Sequence, residues 1–123
     1  STPIKSSAAS DVYKRQLLER VLQIINGNIS NPYLSVELIA REVGISRAHL
    51  HRKMKELTNQ GPRDLVRNIR LKKAAGLLAS GHRNITEVMY ACGFENAASF
   101  SIKFKALYGM SPMVYMKEHL AKK

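Results

Sequence analysis

Apolar residues return along this chain at helical intervals, and each run is closed by glycine, asparagine or proline. Residues 1–10, S-T-P-I-K-S-S-A-A-S, are small and polar with no apolar period, which predicts a flexible linker or an appended tail. From Asp11, read as an N-cap, Leu17, Leu18, Val21, Leu22, Ile24 and Ile25 make an amphipathic packing helix that ends near Asn26-Gly27. Asn31-Pro32-Tyr33-Leu34 is a turn, and Ser35 caps the helix after it. There Val36, Ile39, Ala40 and Val43 keep the period, Gly44 breaks it, and Ser46 caps a further helix whose Leu50, Met54 and Leu57 recur at i, i+4 and i+7. Two short helices joined by a tight turn are the sequence form of a helix-turn-helix.

The second of these helices should stop near Thr58-Asn59, because asparagine is one of the few residues besides glycine at ease in the left-handed C-terminal position. Gly61-Pro62 then opens a long helix to about Ala79, with proline at its first position. Its apolar residues change face. Leu65, Val66 and Ile69 point one way, while Leu71, Ala74, Ala75 and Leu78 point roughly the other, which suits a helix docked on a different module at each end. After Ser80-Gly81, Asn84-Ile85-Thr86-Glu87 has the form of a capping box.

From there to the C-terminus the chain repeats the opening motif. Ile39, Val43, Gly44 and Ile45 correspond to Val88, Cys92, Gly93 and Phe94; after one inserted residue, Leu50, Met54, Lys55 and Leu57 correspond to Phe100, Phe104, Lys105 and Leu107. The exits match too, Asn59-Gln60-Gly61-Pro62 against Gly109-Met110-Ser111-Pro112, and a final helix runs through Tyr115, Met116 and Leu120. The predicted fold is all-α, with about seven helices in two helix-turn-helix subdomains, residues 11–61 and 80–123, joined by a connecting helix over 62–79.

On the helix after Ser46, Ala48, His51, Arg52 and Lys55 fall opposite the Leu50/Met54/Leu57 stripe, so a buried stripe turns a basic face outward. Charge gives that face its meaning. The chain carries +11 with a pI near 10.1, and its basic residues crowd between Arg41 and Arg83, against only Glu42, Glu56 and Asp64. Such a balance points to a polyanion, most simply duplex DNA, whose major groove accepts a helix. Arg52 is the leading base reader, His51 suits base or phosphate, and Lys55 and Lys105 suit phosphate. Ser46, Asn96 and the Ser111-Pro112 start head helices whose free N–H groups favour anions. Arg67, Arg70, Lys72 and Lys73 form either a solvated face or a strip facing the DNA backbone.

Other chemistry finds little support. Ser46 with His49 or His51 lacks an orienting carboxylate or oxyanion loop, so no enzyme is expected. His49, His51, His82 and His119 do not take zinc spacing with Cys92, no glycine-rich phosphate loop is present, and no cofactor is implied. The lone Cys92 reads as a small buried apolar residue. No apolar run approaches a membrane span, and no signal peptide is seen. The chain starts without methionine, as either a fragment or a processed chain would. A non-specific architectural or RNA-binding protein is the alternative, but Phe94, Phe100, Phe104, Tyr108 and Tyr115 occupy core positions rather than a stacking surface. A partner surface of Ile102 with Met110, Met113 and Met116 is weaker still, since methionines usually pack.

Two helix-turn-helix units bridged by R-x-x-R-L-K-K-A-A-x-L-L resemble the DNA-binding domain of the AraC/XylS family of bacterial transcription regulators. The second half carries that family's signature form: A-C-G-F at 91–94, S-F at 99–100, F-K at 104–105 and Y-G-M-S-P at 108–112. The likeness covers about residues 11–120, and L-T-N-Q-G-P followed by R-N-I-R-L-K-K-A is similar to output domains of hybrid two-component sensors. The resemblance implies that the third and sixth helices enter successive major grooves. By position it makes Arg47, Ala48, His51 and Arg52 the base-reading face of the first unit, and Ala97, Ala98, Ser101 and Ile102 that of the second. It further implies a bacterial cytoplasmic, nucleoid-bound regulator of promoter DNA working with RNA polymerase, without membrane contact by this domain. Tethering and dimerisation would belong to other parts of the protein.

One departure matters. Position 102, commonly arginine in the family, is isoleucine here, so the second unit has few groups able to bond base edges. An unequal reader is expected: the first unit sets the preference, while the second adds phosphate contacts through Lys103 and Lys105 and apolar contact of Ile102 with thymine methyls. Residues 62–79 as a helix span about 27 Å, short of the ~34 Å between major-groove segments on one DNA face, so DNA bending or one shallow helix is expected. Head-to-tail repetition suits an asymmetric site.

Overall fold

A computed structural model describes residues 2–81 and 83–121, with side chains for 11–81 and 83–120. His82, one of the histidines weighed for zinc, lies outside them. Seven α-helices and no strand occur among the described residues: α1 Thr2–Gly27, α2 Val36–Val43, α3 Arg47–Thr58, α4 Pro62–Ser80, α5 Ile85–Ala91, α6 Ala97–Tyr108 and α7 Pro112–Ala121. They form two compact units. Unit 1 takes residues up to Asn28 and Leu34–Leu65; unit 2 takes Ile29–Tyr33 and the chain from Val66 onward.

Unit 1 is α1 laid on α2 and α3. Leu17, Val21 and Ile25 from α1 are buried, as are Ile39 and Ala40 from α2 and Leu50 and Met54 from α3. Each of the larger side chains withdrawn from water favours folding by about 1.5–3 kcal/mol before the cost of ordering the chain, and Ala40 by less. Lys14 and Glu56 add an ion pair between α1 and α3, which draws the Glu56 carboxyl below its usual range, and Lys53 approaches the same carboxylate at 3.7 Å. The predicted start of α1 needs correcting. The helix begins at Thr2, so Asp11 is an interior residue and not a cap, and residues 2–10 are helical where a linker was expected. No glycine interrupts that stretch, and Pro3 lies in the first turn, where a missing N–H breaks no helical bond.

Unit 2 repeats the plan with larger side chains. Leu71, Ala74, Ala75 and Leu78 of α4, Val88 and Met89 of α5, Cys92, and Phe100 and Phe104 of α6 make one buried cluster. Phe94, Tyr108, Tyr115 and Met116 pack on its edge. The aromatic rings touch in series, Phe94 on Phe100 at 5.0 Å between centroids, Phe100 on Phe104 at 5.8 Å, and Phe104 on Tyr108 and Tyr115 at 4.7 and 5.3 Å. Tilted and edge-on contacts of this kind add to burial. The outer Leu107 departs from its counterpart in unit 1, being exposed where Leu57 is half-buried.

The segment 29–33 belongs to unit 2 because Arg70 holds it. Its Nη2 donates to the Asn31 carbonyl oxygen at 2.5 Å, and Asn31 Oδ1 in turn accepts from the Tyr33 N–H at 3.0 Å. Arg70 is therefore half-buried and bonded within unit 2, not a solvated residue. Gly93 makes room for this arrangement. At its φ of +81° a side chain is already strained, and a Cβ there would stand 2.7 Å from the Ile29 carbonyl oxygen and 2.9 Å from Arg70 Cζ.

Burial pushes the neighbouring Cys92 thiol up to about 11, so the native thiol should label far more slowly near neutral pH than in denaturant. Gly93→Ala, at a cost of about 2 kcal/mol, should raise native-state Cys92 labelling about thirtyfold through local opening. An unchanged rate would show that the close approach of Arg70 and Ile29 carries no stability.

Candidate nucleic-acid interface

Each unit presents one helix built by the same local chemistry. In unit 1, Ser35 caps α2 by accepting from Leu38 N–H at 3.1 Å, and Gly44 takes φ +75° to end it. The Ile45 N–H then reaches the Ala40 carbonyl at 3.1 Å, closing the turn, and Ser46 caps α3 by accepting from His49 N–H at 3.1 Å. Unit 2 matches bond for bond: Asn84 accepts from Glu87 N–H at 2.8 Å, Phe94 N–H reaches Met89 O at 3.0 Å, and Asn96 accepts from Ser99 N–H at 2.9 Å. The helix ends match as well, with Asn59 at φ +62° closing α3 and Gly109 at φ +77° closing α6.

These caps and turns lock the rotation of α3. Leu50 and Met54 are wholly buried, so Ala48, His51, Arg52 and Lys55 face outward; Arg47, the first residue of α3, is exposed as well, together with the cap Ser46. The rotation of α6 is locked likewise. Phe100 and Phe104 are buried, while Asn96, Ala97, Ala98, Ser101, Ile102, Lys103 and Lys105 are exposed. Ile102 is 71% exposed, an apolar group standing where the first unit offers Arg52. The sites inferred from the sequence thus form one face on each unit, and Lys53, engaged with Glu56, stands apart from the first.

The unit 1 face has structure that residue patterns did not reveal. Arg47, His51 and Lys55 of α3, Val36 of α2, and Gly61, Pro62, Arg63 and Asp64 line a cleft of about 290 Å³. The His51 ring lies against the backbone where α4 begins, since a Cβ on Gly61 would stand 3.0 Å from its Cε1 and 3.3 Å from its Nδ1. Arg47 is not free: its Nη1 donates to Glu37 Oε1 at 2.5 Å, across the turn from α3 to α2. Glu37, Gly61 and Arg63 were missed because their proximity to α3 arises from how the chain folds back, and no spacing in the sequence encodes it.

Chemically, the two faces offer guanidinium, imidazole and ammonium donors with helix N-termini nearby. Among the described residues, no helix is long and apolar enough to cross a membrane.

The comparisons agree with this geometry. A family model described as a helix-turn-helix domain matches residues 39–118. Histidine kinase P4 of Formosa agariphila is 34% identical over 104 residues, which cover 85% of this chain and 8% of that protein. The crystal structure of an AraC-type DNA-binding domain-containing transcriptional regulator from Chromobacterium violaceum superposes with a TM-score of 0.80 at 27% identity, covering 88% of this chain and 96% of that one. The DNA-binding domain of AdpA, a global transcriptional factor solved in complex with a target DNA, gives 0.79 at 25% identity, with coverage of 87% and 95%. A duplicated helix-turn-helix with these caps, this core and these relatives places the chain in the AraC-type helix-turn-helix family of DNA-binding transcription regulators.

Proposed function

We propose that this chain is the sequence-reading output module of a larger bacterial regulator and that it binds an asymmetric site in promoter DNA. The observation that carries the proposal is the locked rotation of α3, where burial of Leu50 and Met54 turns Ala48, His51 and Arg52 outward beside Arg47, exposed at the start of the helix. In this reading α3 and α6 enter successive major grooves. Arg47, His51 and Arg52 meet base edges, and Ala48 leaves room for close approach. Ala98, Ser101 and Ile102 meet the second segment, Ile102 by apolar contact with thymine methyls. Ser46, Lys55, Asn96, Lys103 and Lys105 hold phosphates.

The complex of the AdpA domain with its target DNA supports duplex DNA as the partner, and +11 of formal charge supplies the long-range attraction. Non-specific architectural binding is less favoured, because a purely electrostatic binder has no need of two capped and rotationally locked helices. The likeness to a histidine kinase supports a place in a hybrid two-component protein, with signal reception, dimerisation and any membrane tether in other parts of that protein. RNA polymerase is the expected downstream partner in the nucleoid. With α4 about 28 Å long, binding of both units is expected either to bend the DNA toward the protein or to leave one helix shallow in its groove.

Site selection from random duplexes, followed by measurement of binding across salt concentrations, tests this reading. Arg52→Ala should lose about 1–3 kcal/mol of discrimination at one base pair. Lys103→Ala should weaken every duplex alike and reduce the log–log salt slope by about 0.9. Equal losses from both substitutions on all sequences would contradict the division of roles. Ile102→Arg should tighten binding and steepen the salt slope, and unchanged binding would place α6 away from the duplex.

A further inference from the structure

Glu37 is an acidic residue set beside a basic reading face, and its carboxylate is bonded to the first residue of α3. Its position is fixed by the fold. It stands in the first turn of the Ser35-capped α2, a setting that suits a negative side chain, and α2 is pinned to the core by Ile39 and Ala40. Both partners of the Glu37–Arg47 pair are more than half exposed, 56% and 63%, so the pair adds little to stability and its effect falls on where the guanidinium points.

We propose that Glu37 is a specificity-determining positioning residue that commits Arg47 to a base edge in preference to phosphate. The inference rests on the proposed role of α3 as the base-reading helix. An arginine on the rim of a cleft shared with His51, Lys55 and Arg63 has every electrostatic reason to swing onto the nearest phosphate, a contact that carries no sequence information. Glu37 opposes this in two ways. It occupies one edge of the guanidinium through Nη1, leaving Nη2 and its neighbours to meet two acceptors such as guanine O6 and N7. Its negative charge also repels phosphate oxygens from the place that Arg47 would take to bind them. Overall affinity is thereby lowered and discrimination raised, which is how selectivity arises from a repulsive element.

The test uses the full 123-residue chain and a pool of random-sequence duplexes, read out as preference at each base-pair position and as salt slope, for wild type, Glu37→Gln, Arg47→Ala and the double variant. Glu37→Gln keeps the side-chain length and should leave the helical circular dichroism unchanged. It should tighten binding to unrelated duplexes about two- to fivefold, steepen the salt slope by about 0.9, and reduce preference at one position about fivefold or more. In the Arg47→Ala background the same change should alter affinity alike for all sequences and leave preference where Arg47→Ala had put it. Preference that is unmoved by Glu37→Gln, or that falls further in the double variant, would overturn the proposal; the second result would make Glu37 itself a base reader. If Arg47→Ala and Arg52→Ala both leave preference untouched, the α3 reading has failed as well. If they reduce it and Glu37→Gln does not, the positioning role alone has failed.

Discussion

Burial of one side of a short helix dictates what its other side can do. Leu50 and Met54 in α3, and Phe100 and Phe104 in α6, are out of water, and they anchor the two helices that carry the exposed reading faces. A helix turned by one residue position would rotate about 100°, bringing either His49 and Lys53 or His51 and Lys55 toward the core and taking Met54 away from it. Desolvating an unpaired ammonium is far costlier than the gain from any surface contact. The apolar pairs therefore act as the register of the interface, and the caps at Ser46 and Asn96 set where each register begins.

The repeat shows how tolerant this device is of residue identity and how strict it is about geometry. Ser46 and Asn96 differ chemically but accept the same kind of bond from the residue three places on. Asn59 and Gly109 differ too, and both take the left-handed conformation that ends the helix. One inserted residue, Glu95, lengthens the second turn without disturbing the bond from Phe94 to Met89. Conversely, the exposed faces have diverged: arginine, histidine and lysine on α3, alanine, serine and isoleucine on much of α6. Packing holds the two units to one plan while their contributions to recognition differ.

Much of this was legible before any coordinates, because buried faces write themselves into a sequence as periods and caps as particular residues. Six of the seven helices begin and end within about two residues of where period, cap and breaker put them, and the core roles of Leu50, Met54, Phe100 and Phe104 follow from spacing alone. The start of α1 was not legible, since residues 2–10 carry no apolar period to mark a helix. Nor was the role of Arg70, whose partner is the backbone oxygen of Asn31 and has no residue-type signature. The Glu37–Arg47 pair and the lodging of His51 against Gly61 needed the folded turn to bring distant positions together. Local order was thus encoded locally, and the contacts that refine the face were not.

A dimethyl sulfate protection experiment on a selected duplex tests the central claim most directly, because the reagent methylates guanine N7 in the major groove and adenine N3 in the minor groove. The bound chain should protect guanine N7 at the preferred positions, and Arg52→Ala should restore methylation at one of them while its neighbours stay protected. Protection confined to adenine N3, or guanine N7 protection indifferent to Arg52, would contradict the account.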